Sequence, residues 1–374
     1  MPSLTPDGCV MRCGRLASFL AAKRLDAAAV TDSRDIYYFT GVLFPPDLPA
    51  LLLVTADAEA MLVAPERQEP GDLTSRVEYE WNHRGTRHPD SLSRMLDAAA
   101  LPFRSLNCQR FGIQRNSVLL EARETLAGLC NAHLVPIDES ISDMQRRKDA
   151  DEVAVIRESI RANLGAYAAA QAAIRPGVTE LEVLAAGCRG AMLTAGEKVI
   201  HDGDYQCGQY NGPARNRPIE AGELYIIDAW TCYRGYWSDM SRTFAVGVDP
   251  TDEQQRLYDH IRRVLGEALN LLRPGVDGRE VYLELDRMIR EHPTLASKGL
   301  IHHGGHAIGL RAHELPDINL ERGGQLEPGN IICIEPGGYF PEARFGVRLE
   351  NMYLITEQGA EELCPVVPKL PTCK

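Results

Sequence analysis

The first 135 or so residues of the chain alternate between helix-like and strand-like patterns of apolar and polar positions. Leu16 and Leu20 share one face of a predicted helix, and the apolar run LDAAAVT that follows is typical of a buried strand. The run PALLLVTADAEAMLVAP predicts two strands joined by a turn at Asp57. Asn116 is predicted to cap a helix that runs through VLLEARETLAGLC. This alternation predicts an α/β domain with its own sheet over residues 1–143.

The pattern becomes polar and charged after residue 137, where DESISDMQRRKDADE predicts a connection between two domains. A long helical pattern follows from Ala150 to Ile174. Pro176 and Gly177 then end the helix, since proline cannot continue it and glycine accepts the backbone turn. We therefore predict a second domain over residues 144–374.

Three further helices are predicted in this second domain. Thr179 and Glu182 form a capping box for the first, which runs to Leu193. The other two helical patterns cover residues 251–272 and 277–291. The remaining apolar segments are short and resemble strands, so the domain is expected to mix helices and sheet.

Five polar residues stand inside these short apolar runs, namely Asp228, Asp239, His306, Glu335 and Glu350. The runs are YIIDAW, YWSDMSRTF, HHGGHAIG, NIICIEPGGY and FGVRLENMYLI. A carboxylate among Ile, Val and Leu side chains needs a cation or a proton, because an unpaired buried charge is very unfavourable. Two divalent cations would neutralise the four carboxylates, so the set has the composition of a two-metal hydrolytic site.

Asp228 and Asp239 stand eleven positions apart, on either side of a turn at Arg234-Gly235. A hairpin would place the two carboxylates at neighbouring positions of adjacent strands. For each aspartate alone, a structural role is the simpler interpretation: Asp239 would pair with Arg242, and Asp228 would end a strand. The metal site is inferred from the whole set of five.

Four of the ten histidines lie between positions 302 and 313, in the glycine-rich run HHGGHAIGLRAHE. His306 can bind a divalent ion through one ring nitrogen while a neighbour holds the other. His302 and His313 flank it and would donate hydrogen bonds to substrate. Arg348 stands two residues before Glu350, on the same strand face, where an ordinary salt bridge is the alternative interpretation.

Composition narrows the class of protein. A length of 374 residues suffices for two domains, and a net charge of -12 without a basic cluster argues against nucleic acid as a partner. The sequence contains neither an apolar run long enough to span a membrane nor the apolar stretch of a signal peptide, so we expect a cytoplasmic protein. The ten cysteines form no CxxC pair and are expected to be reduced thiols.

The second half of the chain resembles the pita-bread metallopeptidases (family M24), which include methionine aminopeptidase, Xaa-Pro aminopeptidase, prolidase and the metal-free creatinase. The segments that carry the resemblance are IIDAWTCYRGYWSDMSRTF, GGHAIGLRAHELP, IEPGGYF and GVRLEN, in the family's order. RLDAAAVTDSRDIYYFTGV and RRKDADEVAVIRESI are similar to the creatinase-type N-terminal domain and to the entry into the catalytic domain. The resemblance implies a catalytic domain with a curved, mainly antiparallel sheet covered by helices, and a homodimer.

The resemblance also implies a role for each metal ligand. Asp228 would chelate one metal, Asp239 and Glu350 would bridge both, and His306 and Glu335 would complete the second. A water between the cations would become hydroxide and attack the substrate. Such oxygen-rich ligation suits manganese, and cobalt, iron or zinc are alternatives.

The same resemblance assigns the groups around the metals. Glu335 would carry a proton from the nucleophile to the leaving amine, and His313 would stabilise the tetrahedral intermediate. His302, Tyr339 and Arg348 would orient the substrate or support the site. These residues and the five metal ligands make up the predicted active site.

Three positions near the predicted site depart from the family pattern. Asn211 stands where the family has a histidine, and an amide cannot carry a proton at neutral pH. His201, ten residues earlier, would have to fold back to replace it. Trp230 and Ala307 occupy positions where glycine is common, and Trp230 would either contact substrate or fill core space. Asn211 and Trp230, with Tyr339, are therefore predicted to bind substrate.

The predicted function is hydrolysis of a small peptide or amide by a dinuclear metal enzyme, with an Xaa-Pro peptide as the leading substrate. One alternative is a creatinase-like C-N hydrolase of a small metabolite, because Asn211 and Trp230 change the substrate side of the site. The other alternative is a binding protein that keeps the fold without catalysis. The intact set of carboxylates argues against this last alternative.

Overall fold

The computed structural model describes residues 2–45, 48–66, 75–84, 86–106, 108–130, 132–208, 210–364 and 369–374. The chain divides into two compact units, Met1–Gln145 and Arg146–Lys374. Within the described ranges, no helix combines the length and the apolar character needed to cross a membrane.

The N-terminal unit is an α/β domain. Its helices are α1 (Pro6–Ala22), α2 (Ser33–Thr40), α3 (Ser91–Ser105), α4 (Leu120–Cys130) and α5 (Asp138–Arg146). Its strands are β1 (Ala27–Val30), β2 (Leu51–Thr55), β3 (Ala60–Pro65), β4 (Ser75–Tyr79), β5 (Asn82–His83), β6 (Thr86–Arg87), β7 (Arg110–Ile113) and β8 (His133–Pro136). The main sheet has the order β4-β3-β2-β1-β7-β8, in which β1 pairs parallel with β7 and antiparallel with β2. The predicted first helix, the buried strand and the hairpin around Asp57 are confirmed.

Two predictions for this unit are wrong in detail. Asn116 does not cap α4, which begins at Leu120, because Asp138 accepts hydrogen bonds from the backbone N–H groups of Arg115 and Asn116 and fixes a turn there. The stretch predicted as a polar connection forms helix α5. Its buried side follows a helical spacing through Ile141 and Gln145, which a count of charged residues alone does not reveal.

The C-terminal unit carries mainly antiparallel sheet covered by helices. The helices are α6 (Ala150–Ala173), α7 (Glu180–Ala195), α8 (Asp252–Gly266), α9 (Ala268–Leu271) and α10 (Gly278–Ile289). The strands are β9 (Ile200–Cys207), β10 (Leu224–Tyr233), β11 (Tyr236–Val246), β12 (Gly305–Ala307), β13 (Glu314–Ile318), β14 (Ile331–Ile334), β15 (Gly337–Phe340), β16 (Phe345–Arg348), β17 (Asn351–Thr356), β18 (Gly359–Glu362) and β19 (Thr372–Cys373).

These strands form a four-stranded sheet, β19-β11-β10-β9, a five-stranded sheet, β13-β12-β14-β17-β18, and the hairpin β15-β16. Helices α6 and α7 pack on each other, and α6 also packs on β10 and β11. A separate apolar core of this unit contains Leu257 and Ile261 of α8, Leu285 of α10, and Ile332 and Ile334 of β14. Every strand that carries a predicted metal ligand is therefore backed by core.

The predicted helices of this unit are present with one change. Thr179 and Glu182 form the predicted capping box at the start of α7. The pattern predicted as one helix over residues 251–272 is split into α8 and α9. The backbone N–H of Glu267 donates to the carbonyls of both Arg263 and Val264, so the helix tightens at this point before α9 begins.

Candidate metal centre

The hairpin of β10 and β11 brings the first two predicted ligands together. Arg234 and Gly235 at its turn have φ angles of 45° and 84°, the left-handed geometry that a tight two-residue hairpin requires. In the strand register Asp228 lies opposite Ser241, and Trp230 lies opposite Asp239. The two aspartates are therefore diagonal neighbours on one face of the sheet, as the spacing predicted.

The second sheet supplies the other ligand-type side chains. His306 lies on β12, directly opposite Cys333 of β14, and Glu335 follows the last residue of β14. Glu350 lies between β16 and β17, and its backbone N–H donates to the carbonyl of Ser241 on the first sheet, at 3.0 Å. This hydrogen bond joins the two sheets at the site.

A cavity of about 270 Å³ is the meeting point of these side chains. Among its lining residues are all five predicted ligands, Asp228, Asp239, His306, Glu335 and Glu350. Each of the five is at most 7% exposed. The interpretation of Asp239 as a partner of Arg242 does not fit, because Arg242 donates instead to the backbone carbonyl of Glu350 and to the Asn351 side chain.

The donor atoms fit divalent cations. One carboxylate oxygen from each of Asp228, Asp239 and Glu350 lies within 4.8 Å of the others, and His306 and Cys333 form a similar group with Glu350. Oδ1 of Asp239 and Oε1 of Glu350 are buried and accept no hydrogen bond from any described residue. Buried carboxylate oxygens that lack a donor are the groups that a hard cation would bind.

The raised pKa values of the buried carboxyl groups also indicate a cation site. Burial raises the pKa of Asp239 well above its usual value, and the charges of Asp228 and Glu335 raise it further. Burial and then Asp239 raise the pKa of Glu350 in the same manner. The pKa of Glu335 rises to about 8, chiefly through burial, although Arg348 opposes the shift. Without cations the cluster would hold protons, and bound cations would displace them.

The imidazole of His306 is prepared for ligation. Burial lowers its pKa well below the usual value, so the ring stays neutral and one nitrogen keeps a free lone pair. Its Nδ1 lies 3.0 Å from the carbonyl of Ala307, which can accept a hydrogen bond from that nitrogen and leave Nε2 for an ion. Ala307 itself is fully buried.

Arg348 contacts two of the predicted metal ligands, Asp228 and Glu335. Its Nη1 lies 2.6 Å from Oδ2 of Asp228 and 3.7 Å from Oε2 of Glu335, and its Nε donates to the hydroxyl of Tyr339 at 2.8 Å. Nε2 of His302 lies 3.1 Å from the same hydroxyl. Arg348 therefore forms an ion pair with a predicted ligand, Asp228. Tyr339 contacts Arg348, and His302 contacts Tyr339.

The sequence profile of metallopeptidase family M24 matches residues 154–357, more than half of the chain. The chain belongs to this family. The profile of the creatinase/prolidase N-terminal domain matches residues 12–146 of the M24 chain. The protein is thus a hydrolase of a metallopeptidase family. Along the chain, a creatinase-type domain is followed by a domain with the pita-bread fold.

Named relatives agree along the whole length. The Xaa-Pro dipeptidase of Pyrococcus furiosus is 29% identical over 360 residues, which cover 94% of this chain and 97% of that protein. The crystal structure of the prolidase from Pyrococcus horikoshii OT3 superposes with a TM-score of 0.79 at 25% identity, covering 96% of this chain and 99% of that chain. The Xaa-Pro dipeptidase from Bacillus anthracis shares the fold, with a TM-score of 0.82 at 23% identity and coverage of 97% and 99%.

Two predicted substrate-side residues of the M24 chain lie close to the cluster. His313 lines the cavity, and its ring centroid is 3.9 Å from that of His306. Trp230 also lines the cavity and is only half-buried, so it does not serve as core filling. Trp230, at a position where the family resemblance led us to expect glycine, therefore forms part of the cavity wall.

Asn211 reaches the site through a ligand. Its Nδ2 donates to Oδ2 of Asp228 at 2.8 Å. His201 does not replace the missing histidine, because it lies opposite Thr231 and its ring nitrogens contact the Thr231 and Tyr205 hydroxyls, on the face of the sheet turned away from the cavity. Burial lowers the pKa of His201 to about 4, which also makes it a poor proton carrier.

The sequence analysis missed two polar residues of the cavity, Asp204 and His303. Nδ1 of His303 lies 3.1 Å from Oε1 of Glu335. The cluster of histidines around position 302 could have indicated His303, but the sequence analysis assigned His302 to the site instead. Asp204 lies opposite Asp228 in the register of β9 and β10, and the alternation in HDGDYQC was the available signal.

Proposed function

We propose that the protein is a dinuclear metallopeptidase that cleaves the bond before proline in short peptides. The observation that carries this proposal is the convergence of five ligand-type side chains on one small cavity, where Asp239 and Glu350 each keep a buried oxygen without a donor among the described residues. The relatives named above, an Xaa-Pro dipeptidase and a prolidase, support proline as the residue after the scissile bond.

Each ligand has a proposed position around the two cations. Asp228 would hold one cation, His306 and Glu335 would hold the other, and Asp239 and Glu350 would contribute to both. Four carboxylates and one imidazole favour manganese, with cobalt, iron or zinc as alternatives. When bound, the two cations lower the pKa of water and polarise the peptide carbonyl.

Protein groups perform the proton transfer. Glu335 takes the proton of the attacking water on its carboxylate and delivers it to the leaving nitrogen of proline. His303 and Arg348 flank this carboxylate, at 3.1 Å and 3.7 Å from its oxygens, and keep it oriented. His313 donates a hydrogen bond to the peptide carbonyl oxygen as negative charge develops there.

The substrate side of the cavity favours small molecules. A volume of about 270 Å³ leaves little space beyond a short peptide, and Trp230 forms part of the wall. Arg348 and Asn211 both donate to Asp228, which fixes that ligand before any cation binds. We further propose a homodimer, which the family resemblance implies, and a cytoplasmic location, which rests on the sequence analysis.

A hydrolysis assay with manganese tests the proposal. Protein stripped with chelator and reloaded with manganese should cleave Xaa-Pro dipeptides or tripeptides and leave matched Xaa-Ala peptides largely intact. Glu335→Gln and Asp239→Asn should both weaken metal binding, and Glu335→Gln should also lose turnover at full metal loading, because the proton carrier is gone. The matched control is Glu357→Gln, a change at an exposed turn that should leave activity unaltered.

Three outcomes separate the alternatives. Hydrolysis of ureido or amidino metabolites in place of peptides would support the creatinase-like function and remove the proline proposal. Two bound metals without turnover of either class would support a binding protein. Peptide cleavage that persists after complete metal removal would overturn the metal assignment.

A further inference from the structure

Asp204 is a carboxylate of the cavity that the proposed metal centre does not use. It lies on β9 directly opposite Asp228 of β10, while Asp202, two residues earlier, lies opposite Trp230. Residues two apart on a strand share a face, so Asp204, Asp228 and Trp230 point to the same side of the sheet. All three line the cavity.

The backbone around Asp204 is firmly placed. Asp204 forms an isolated bridge with Pro213, and the next backbone N–H, of Tyr205, donates to the carbonyl of Gly212 at 2.9 Å. Gly203, just before it, packs so closely on the backbone of Asp228 that a side chain there would collide with it. The position of Asp204 in the wall is therefore fixed by β9 and by the loop that carries Asn211.

Unlike its neighbour, Asp204 has no partner in the described part of the chain. Asp228 accepts hydrogen bonds from both Arg348 and Asn211, whereas no described side chain donates to or pairs with the Asp204 carboxylate. Asp204 is also outside the groups of described residues whose donor atoms are close enough to share an ion. It is half-buried, so it lies nearer to the solvent than the five proposed ligands do.

An indole stands beside this carboxylate. Trp230 is the diagonal cross-strand neighbour of Asp204, within the reach of a large aromatic side chain. A carboxylate and an indole on one cavity wall suit an organic cation, because the charge attracts it and the ring quadrupole does so as well.

We propose that Asp204 and Trp230 form a subsite for the ammonium group of the substrate. This inference rests on the proposed peptide substrate and names the chemistry of one of its ends. The ammonium belongs either to the peptide amino terminus or to a basic side chain before proline. Both sources present the same chemistry to the subsite, and a set of matched ligands distinguishes them.

Binding of four six-carbon acids to the manganese-loaded protein tests the subsite without turnover. Hexanoate has no ammonium, norleucine has only the α-ammonium, 6-aminohexanoate has only the terminal ammonium, and lysine has both. Calorimetry should show at least one ammonium ligand binding about tenfold more tightly than hexanoate, the effect of one charge-assisted hydrogen bond. A preference for norleucine identifies the amino terminus, and a preference for 6-aminohexanoate identifies a basic side chain.

Variants assign the preference to its residues. Asp204→Asn should reduce it to within about twofold, and Trp230→Leu should weaken it in part. Glu357→Gln is the control, because it removes a carboxylate at an exposed turn of the C-terminal unit. Its preference should equal that of the parent protein. The metal content of each variant is measured alongside.

Several results would overturn the inference. Equal binding of all four acids to the parent protein would do so, as would a preference that survives in Asp204→Asn. Loss of a metal in Asp204→Asn would make Asp204 a ligand and remove the subsite. If the ammonium preference depends on Asp204 while no Xaa-Pro peptide is cleaved, the subsite stands and the proposed function fails.

Discussion

Replacing Glu350 by glutamine should stabilise the metal-free protein while removing its response to metal. Glu350 is 1% exposed, its Oε1 accepts no hydrogen bond from the described residues, and burial raises its pKa well above the ordinary 4.5. The metal-free folded state therefore keeps a proton on Glu350 up to a higher pH than the unfolded state does. Glutamine has nearly the same shape, needs no proton and adds N–H donors beside Asp239.

The size of the effect follows from linkage. A carboxyl group that stays protonated in the folded state at pH 7 costs up to 2.303RT for each pH unit above its unfolded value of 4.5, about 3 kcal/mol in total. Because the folded pKa is raised, the parent protein loses this stability as the pH rises. The gain from Glu350→Gln should therefore grow with pH, from at most about 0.7 kcal/mol at pH 5 to at most about 3 kcal/mol at pH 7.

Urea denaturation followed by tryptophan fluorescence measures both effects, since Trp230 and Trp237 report on the C-terminal unit. In chelator, Glu350→Gln should unfold at higher urea than the parent protein at pH 7 and at nearly the same urea at pH 5. With manganese at about 1,000 times its Kd, the parent should gain about 4 kcal/mol and the variant far less. Glu357→Gln, at an exposed turn, should change stability by less than about 0.5 kcal/mol.

A contrary result would be clear. If Glu350→Gln destabilises the metal-free protein equally at both pH values, its carboxyl group carries no raised pKa and is satisfied by partners. If manganese stabilises parent and variant to the same extent, Glu350 does not bind the cations. Either result would refute the description of this site as a cluster that needs cations.

Three further predictions concern Asn211, His313 and the buried ion pair between Lys148 and Glu314. Asn211→His should raise Xaa-Pro hydrolysis about tenfold if the family's histidine carries a proton here, whereas Asn211→Ala, which frees Asp228, should weaken metal binding in a titration. His313→Ala should lower kcat about 100-fold with both metals retained, as removal of one donor to a developing oxyanion does. Lys148→Met should cost about 3–5 kcal/mol in denaturation, because it strands Glu314, whose ion pair with Lys148 is buried at 2.6 Å; the double variant with Glu314→Gln should recover most of that loss.

The sequence was informative where the chemistry follows from local spacing. Asp228 and Asp239 could be joined by counting across a turn, since alternation of period two fixes which side chains share a face. The break at Glu267 and the helix α5 were missed, because a capping interaction and a partly polar helix face leave little signal in the hydrophobic pattern.

Asp204 shows the limit of such reasoning. Its contact with the site depends on the register between β9 and β10, which are separated by a loop that includes Asn211 and a bridge to Pro213. A one-residue shift of β9 would turn Asp204 away and His201 toward the cavity. Spacing along the chain does not determine that register, so the sequence analysis weighed His201 for the site and overlooked Asp204.

The centre is also the joint between two sheets, which links metal binding to the fold. Asp228 and Asp239 come from one sheet and His306 from the other, and the backbone of Glu350 bonds to Ser241 across the gap. When no cation is bound, the cost of burying these carboxyl groups therefore falls on the contact between the two sheets.

Asn211 fits this arrangement in a specific way. Its amide and the guanidinium of Arg348 donate to the same oxygen of Asp228, so this ligand is fixed without a cation. An amide can hold a carboxylate in this way but cannot pass a proton. In the proposed mechanism, proton transfer then depends on Glu335, whose oxygen lies 3.1 Å from His303. Asn211 therefore makes the chain rely on the Glu335 side of the site, and the hydrolysis measured for Asn211→His reports how large that dependence is.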